Sequence, residues 1–202
     1  MVTIPAFKQV WDRQIKNLDT FGWDNEFGNK TIDVKEFRVS KMLVSNGEFL
    51  AFVEDGGYQK KQYWSEEALV WMEGEKPTKP LFWWEGKNGY QLKTLTQLIE
   101  LPLDWPAEVN YHEADAFCAW KSEKTGVKLQ VPTEDEYFAM REHFKGDYRT
   151  LPIRSMGNID MQYWSSPNPV NLFKFGDIYD LMGNVWQWSR TPNYPFEGFQ
   201  YD

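Results

Sequence analysis

The feature that most limits how this chain can fold is the placement of its aromatic residues. There are 11 Trp, 10 Tyr and 14 Phe among 202 residues. They follow no long helical or strand period. Many gather instead in short runs beside glycine and proline, such as Pro80-Leu-Phe-Trp-Trp84 and Gly183-Asn-Val-Trp-Gln-Trp188. Disordered chains are poor in such rings, and each buried ring removes roughly 150–250 Å² from water. The pattern predicts a packed fold of short elements whose long connections are anchored by large side chains.

Helices are marked by their N-termini. Ser45 precedes Glu48 by three positions, a capping box in which hydroxyl and carboxylate each satisfy a free backbone N–H. Phe49, Phe52 and Val53 follow on one face, and Gly56-Gly57 stops the helix because glycine takes the left-handed C′ conformation without penalty. Asn110 and Glu113 open a second helix with Ala114, Phe117 and Cys118 as its apolar stripe, Trp120 beside it, and Gly126 as its end. Thr133 and Glu136 open a third, running to Phe144, and a shorter helix is expected over 65–73. Residues 1–40 read as strands joined by a turn-rich loop around Gly22–Asn29, with 34–39 one alternating strand. Residues 74–108, broken by Pro77, Pro80, Pro102 and Pro106, read as a long irregular insertion. Residues 183–189 alternate large and small side chains and are expected to form a core strand. The class is α+β in one domain over 1–202, without repeat or interdomain linker.

Several functions are excluded or disfavoured. No run approaches the ~18 apolar residues of a membrane helix, and mean hydropathy is −0.64. The opening MVTIPAFKQVWDRQ has no signal-peptide pattern. A net charge of −8 argues against a nucleic-acid partner, which requires a basic face. One cysteine, Cys118, rules out an internal disulfide framework and points to a reducing, cytoplasmic setting. Two histidines, His112 and His143, cannot supply a three-histidine metal site.

Individual candidates have ordinary alternatives. Cys118 reads as a packed thiol, since a nucleophile requires a nearby positive charge. Glu113 serves the helix cap, which leaves His112 without an adjacent acid–base partner. Glu134, Asp135 and Glu136 suit the positive end of a helix dipole. Tyr194 is more informative: Pro192 and Pro195 stiffen the loop that carries it, and a phenol there is able to donate a proton.

Ordered segments across nearly the whole chain resemble one family. They are Phe21-Gly-Trp-Asp-Asn-Glu-Phe27, Leu43-Val-Ser-Asn-Gly-Glu-Phe-Leu50, Asp55-Gly-Gly-Tyr58, Tyr63-Trp-Ser-Glu-Glu67, Pro80-Leu-Phe-Trp83, Asp104-Trp-Pro-Ala-Glu-Val-Asn-Tyr-His-Glu-Ala114, Val131-Pro-Thr-Glu-Asp-Glu136, Ser166-Pro-Asn-Pro-Val170 and Tyr179-Asp-Leu-Met-Gly-Asn-Val-Trp-Gln-Trp188. The Pro-Thr-Glu-x-Glu and Gly-Asn-Val-Trp-Gln-Trp elements are similar to the formylglycine-generating-enzyme, or sulfatase-modifying-factor, superfamily. The Gly-Trp-Asp-Asn opening within 21–27 and the Asp104-Trp-Pro-Ala-Glu-Val-Asn-Tyr111 segment resemble its non-haem iron sulfoxide synthase branch, the ovothiol-pathway 5-histidylcysteine sulfoxide synthases before the ergothioneine ones.

That resemblance implies a C-type-lectin-like fold, with a small antiparallel sheet, few helices and long loops. It implies O2-dependent joining of cysteine to histidine as a sulfoxide. It also implies Fe(II) held by three histidines of an N-terminal helical-bundle domain, through an H-x3-H-x-E signature that this sequence does not contain. The expectation is therefore an incomplete central portion, without the bundle or the family's C-terminal closing strands, that binds no iron alone. Tyr194 matches the family's proton-donating tyrosine, and Trp186 and Arg190 are expected to face the substrate. A non-catalytic lectin-like binding module and a formylglycine-generating oxidase remain the rival readings.

Overall fold

The computed structural model describes residues 1–13, 27–144, 157–159 and 166–193. Its strands are β1 (Val2–Ile4), β2 (Phe7–Arg13), β3 (Gly28–Val34), β4 (Phe37–Val39), β5 (Trp83–Gly86), β6 (Gly89–Lys93), β7 (Leu98–Glu100), β8 (Lys174–Phe175) and β9 (Ile178–Tyr179). Its helices are α1 (Asn46–Glu54), α2 (Glu66–Glu75), α3 (Tyr111–Thr125) and α4 (Glu134–His143). Few helices and several small antiparallel sheets make the described residues α+β. No helix among them is long and apolar enough to cross a membrane. They divide into two compact units, one from residues 1–39, 132–144 and 189–193, the other from 40–131 and 157–188 within the described ranges.

In the first unit β1 pairs with β4 and β2 with β3, all antiparallel. Both ladders keep one register, with Ile4 facing Phe37 and Phe7 facing Val34. They form a single ribbon interrupted where Pro5, which has no N–H to donate, falls opposite Glu36. The expected single strand over 34–39 is therefore split at Lys35 and Glu36. Ile4, Ile32 and Val34 are buried, each worth about 1.5–3 kcal/mol relative to exposure. α4 packs on β1 and β3, with the Phe138 ring 6.0 Å from Phe7. Thr133 and Glu136 make its capping box, as the sequence predicts.

The second unit is organised around Phe52 on α1, which is fully buried. Rings of Phe49, Tyr58, Tyr63, Trp64, Phe117 and Trp120 stand 5.2–6.4 Å from it. The polar edges of these rings are satisfied. The Trp64 indole N–H donates to the Gly57 carbonyl at 2.9 Å and that of Trp120 to Asp55 at 2.9 Å. Bonds from Lys60, Trp120 and Lys124 hold the Asp55 carboxyl well below the usual carboxylate range. Both predicted boxes form, Ser45 with Glu48 and Asn110 with Glu113, and Gly56 takes the left-handed conformation after α1.

Three expectations are corrected here. The buried face of α3 is Glu113, Ala116, Phe117 and Trp120, not the stripe through Ala114 and Cys118. Glu113 caps the helix with one carboxylate oxygen and accepts the Tyr58 hydroxyl with the other, so a charged residue occupies an inward position. Residues 83–100 are not irregular, since β5, β6 and β7 form a meander. Its first turn is Lys87-Asn88, closed where Gly86 faces Gly89, and glycine at 89 accommodates a φ of 125°. Residues 183–189 are not a strand. Gly183 at φ 80° and Asn184 at φ 65° turn the chain where extended backbone was expected.

Candidate functional site: an aromatic cleft

The second unit contains a cleft of about 1080 Å³, just above the usual size of small-molecule sites. Most of its wall comes from Leu81 and Phe82 with residues 92–95, residues 107–110 before α3, and the loop Asn184–Trp188, and Glu113, Asn158, Ser166 and Pro167 complete it.

The last loop is held in detail. The Asn184 amide N–H donates to the Asn158 carbonyl at 2.9 Å. Its side-chain carbonyl accepts the Asn168 N–H at 2.9 Å, and its amide group donates to Asn168 and to the Asp180 carboxylate, each at 3.1 Å. A Cβ on Gly183 would stand 2.8 Å from the Asn158 carbonyl oxygen, so both the left-handed backbone and the close approach require glycine there. Gln187 donates to the Asp180 carbonyl at 2.9 Å and the Trp188 indole N–H to the Val109 carbonyl at 2.9 Å. Between these fixed points Trp186 stands fully exposed.

The stretch before α3 is tied to α1. Asn46 donates through its backbone to Trp105 and through its side chain to Pro102, and Ala107 donates to Val44 at 2.9 Å. This sets Glu108 in the cleft, immediately before Val109 and the Asn110 cap. Burial raises the Glu108 carboxyl above its ordinary pKa. No hydrogen bond or ion pair engages it among the described residues. Glu113 also lines the cleft, and burial raises its carboxyl as well, against the bonds from Tyr58 and Asn110. Lys93 lies at the cleft with its ammonium 5.5 Å from the Trp84 ring.

Of the residues singled out from the sequence, Trp186 lines this cleft and is not core. Arg190 belongs to the first unit. Its backbone N–H donates to Pro132 at 2.9 Å, and its guanidinium lies 3.9 Å from the Glu136 carboxylate that caps α4. Tyr194 lies outside the described residues. The Cys118 thiol is half-buried and pushed up to about 11, chiefly by burial, so it is a protonated packing group at neutral pH. His112 lies 5.7 Å from the Trp71 ring and His143 4.7 Å from Phe144. The sequence reading missed Glu108, Trp188 and Phe82. A carboxylate two positions ahead of an Asn cap, where it has no capping role, was the available signal for Glu108.

Among the described residues the donor set does not make up an iron site. Among the described residues no group of three or more His, Cys, Asp or Glu side chains could hold a metal ion. The buried polar atoms left without partners near Asn184 are the Asn158 and Asp180 oxygens and the Asn168 amide, not imidazoles.

Comparison with known proteins adds an independent line. The model of the sulfatase-modifying factor enzyme 1-like domain matches residues 1–196. Hercynine oxygenase of Mycobacterium tuberculosis is 30% identical over 188 residues, covering 87% of this chain and 42% of that protein. Hercynine oxygenase of Mycolicibacterium thermoresistibile is 27% identical over 195 residues, 90% of this chain and 41% of that protein. The inactive C-alpha-formylglycine-generating enzyme 2 of Mus musculus is 27% identical over 211 residues, 86% and 64% respectively. The chain thus spans less than half the length of the hercynine oxygenases that it matches.

Proposed function

This chain belongs to the sulfatase-modifying factor enzyme 1-like family, and from that premise we propose that it is part of an O2-dependent non-haem iron sulfoxide synthase joining cysteine to a histidine. The observation that carries this reading is the 30% identity with a hercynine oxygenase over 87% of the chain. The cleft supports it, because its size and aromatic walls suit amino-acid substrates. In the overall reaction a thiol S–H and an imidazole C–H are lost and a C–S bond forms. One oxygen atom of O2 becomes the sulfoxide oxygen, and the other leaves as water with the two hydrogens.

Fe(II) belongs to this proposal with its ligands outside this chain, on a helical-bundle domain that would be the chain's partner. The chain's own part is to bind and orient the organic substrates in the cleft and to exclude water around them. Tyr194 is proposed as the proton donor, and Trp186 and Arg190 as substrate-binding residues. The proposal includes a C-type-lectin-like arrangement and a reducing, cytoplasmic setting, which the single cysteine supports. Histidine, giving 5-histidylcysteine sulfoxide of the ovothiol pathway, is the acceptor favoured by the chain's segments. The relatives, which are hercynine oxygenases, favour hercynine, the trimethylated acceptor of the ergothioneine-type reaction, as the second reading.

The test is product analysis by mass spectrometry. The full-length protein, loaded with Fe(II), is incubated with cysteine and either acceptor under heavy-oxygen gas. A coupled sulfoxide carrying one heavy oxygen is expected. No coupled product with either acceptor, or conversion of a sulfatase-derived cysteine peptide to formylglycine, would overturn the reading. In the same assay Tyr194→Phe is expected to slow sulfoxidation or shift the product ratio. Unchanged rates and ratios would remove Tyr194 from its role.

A further inference from the structure

We propose that Glu108, together with the indoles of Trp186 and Trp188, forms a receptor for an organic ammonium group inside the cleft. The proposal rests on the reading of the cleft as the substrate site and adds which end of the substrate is recognised, and by which residues.

The starting point is an isolated charge. Glu108 is partly buried in a predominantly apolar cleft and is unengaged among the described residues. Removing an ionised carboxylate from water costs free energy unless a partner offsets it. The cleft's other acid is committed, since both oxygens of Glu113 already accept hydrogen bonds. Its cation, Lys93, sits over the Trp84 ring. Glu108 is therefore the negative group available to a ligand.

The aromatic wall has the matching property. The Trp188 indole N–H is bonded to the carbonyl of Val109, the residue next to Glu108. The Tyr111 ring, 6.1 Å away and nearly perpendicular, steadies the same indole. Trp188 is nonetheless half-exposed, and Trp186 is fully so. Indole faces attract cations most strongly of the aromatic side chains, and the attraction grows where water is displaced. A carboxylate that shares one cleft with two open indoles favours a positive amine on an apolar stem over a neutral or anionic group. The apolar stem has Phe82 and Leu81 to rest against. A free ammonium and a methylated one share this chemistry and differ in hydrogen bonding, because only the free ammonium brings donors for Glu108.

The experiment is titration calorimetry on the full-length protein with three probes of one shape. These are choline, the uncharged alcohol 3,3-dimethylbutan-1-ol, in which carbon replaces the nitrogen, and 3,3-dimethylbutylamine, which has the same carbon skeleton with a primary ammonium in place of the hydroxyl. At least one cation is expected to bind about tenfold more tightly than the alcohol. Which cation binds better distinguishes a methylated from a free ammonium. Glu108→Gln is expected to weaken that cation by about tenfold while leaving the alcohol unchanged, and Glu108→Asp to retain part of the preference. If Glu108→Gln fails to fold, Trp186→Ala supplies the second reading, with loss of cation affinity expected. Equal affinity for all three probes, or unchanged cation affinity in the variants, overturns the proposal. Cation binding without sulfoxide formation would leave the receptor standing and reject the sulfoxide reading. Sulfoxide formation with unaltered cation affinity in Glu108→Gln would do the reverse.

Discussion

Phe52 and Trp186 belong to the same unit and carry the same kind of side chain, yet Phe52 is 0% exposed and Trp186 101%. Residue type does not separate them. Phe52 stands on a helix whose 3/4 spacing turns Phe49 and Phe52 inward, so its ring meets six others and is held by dispersion and lost hydration. Trp186 stands on a loop whose backbone is fixed by the side chains of Asn184, Gln187 and Trp188. Polar bonds hold that loop in place and leave its central indole free. One set of rings makes the fold; the other is held out by the fold at a cleft.

The largest effect expected from this contrast is on the core. Phe52→Ala should cost about 3–5 kcal/mol, because it removes the ring at the centre of the cluster and leaves a cavity. Urea unfolding measures this directly. A loss below about 1 kcal/mol would mean that the cluster is not what holds the second unit together.

The loop's support should respond to pH where the core does not. Asp180 is 1% exposed. Burial raises its carboxyl to about 6, against the lowering effect of the Asn184 bond. Since this folded value lies above that of the unfolded chain, the folded state keeps a proton that the unfolded chain has released between about pH 4 and 6. The contribution of Asp180 is thus most favourable below pH 4 and declines as pH rises through 6, by about 3 kcal/mol in all. Asp180→Asn, which holds no titrating group, should remove that slope. Unfolding free energies across this pH range check it, and an unchanged slope in the variant would reject the assignment.

What was legible in the sequence follows the same division. The Ser45, Asn110 and Thr133 caps placed three helix starts to the residue, because capping is local chemistry between positions three apart. The meander over 83–100 was hidden by its short strands, and its first turn places Lys87-Asn88 at the centre with Gly89 already in the ladder, so the Asn-Gly pair does not stand where the usual hairpin signal would have it. The ribbon through β1–β4 was partly legible, and only pairing showed that Pro5 breaks the run at 34–39. The alternation over 183–189 misled because its large residues face a cleft and a neighbouring carbonyl instead of a sheet. The cleft itself joins residues near 82, 108 and 186, and such long-range closure leaves no local period to read. Motif resemblance carried Trp186 to the site. Glu108 emerged only once its neighbours were known.

The smallest expected effect is the most direct test of the account, which holds that the exposed indole serves a ligand and not the fold. Urea unfolding of Trp186→Ala should match the parent chain to within about 0.5 kcal/mol. A loss approaching that of Phe52→Ala would contradict the account, because the indole would then be part of what holds the unit together.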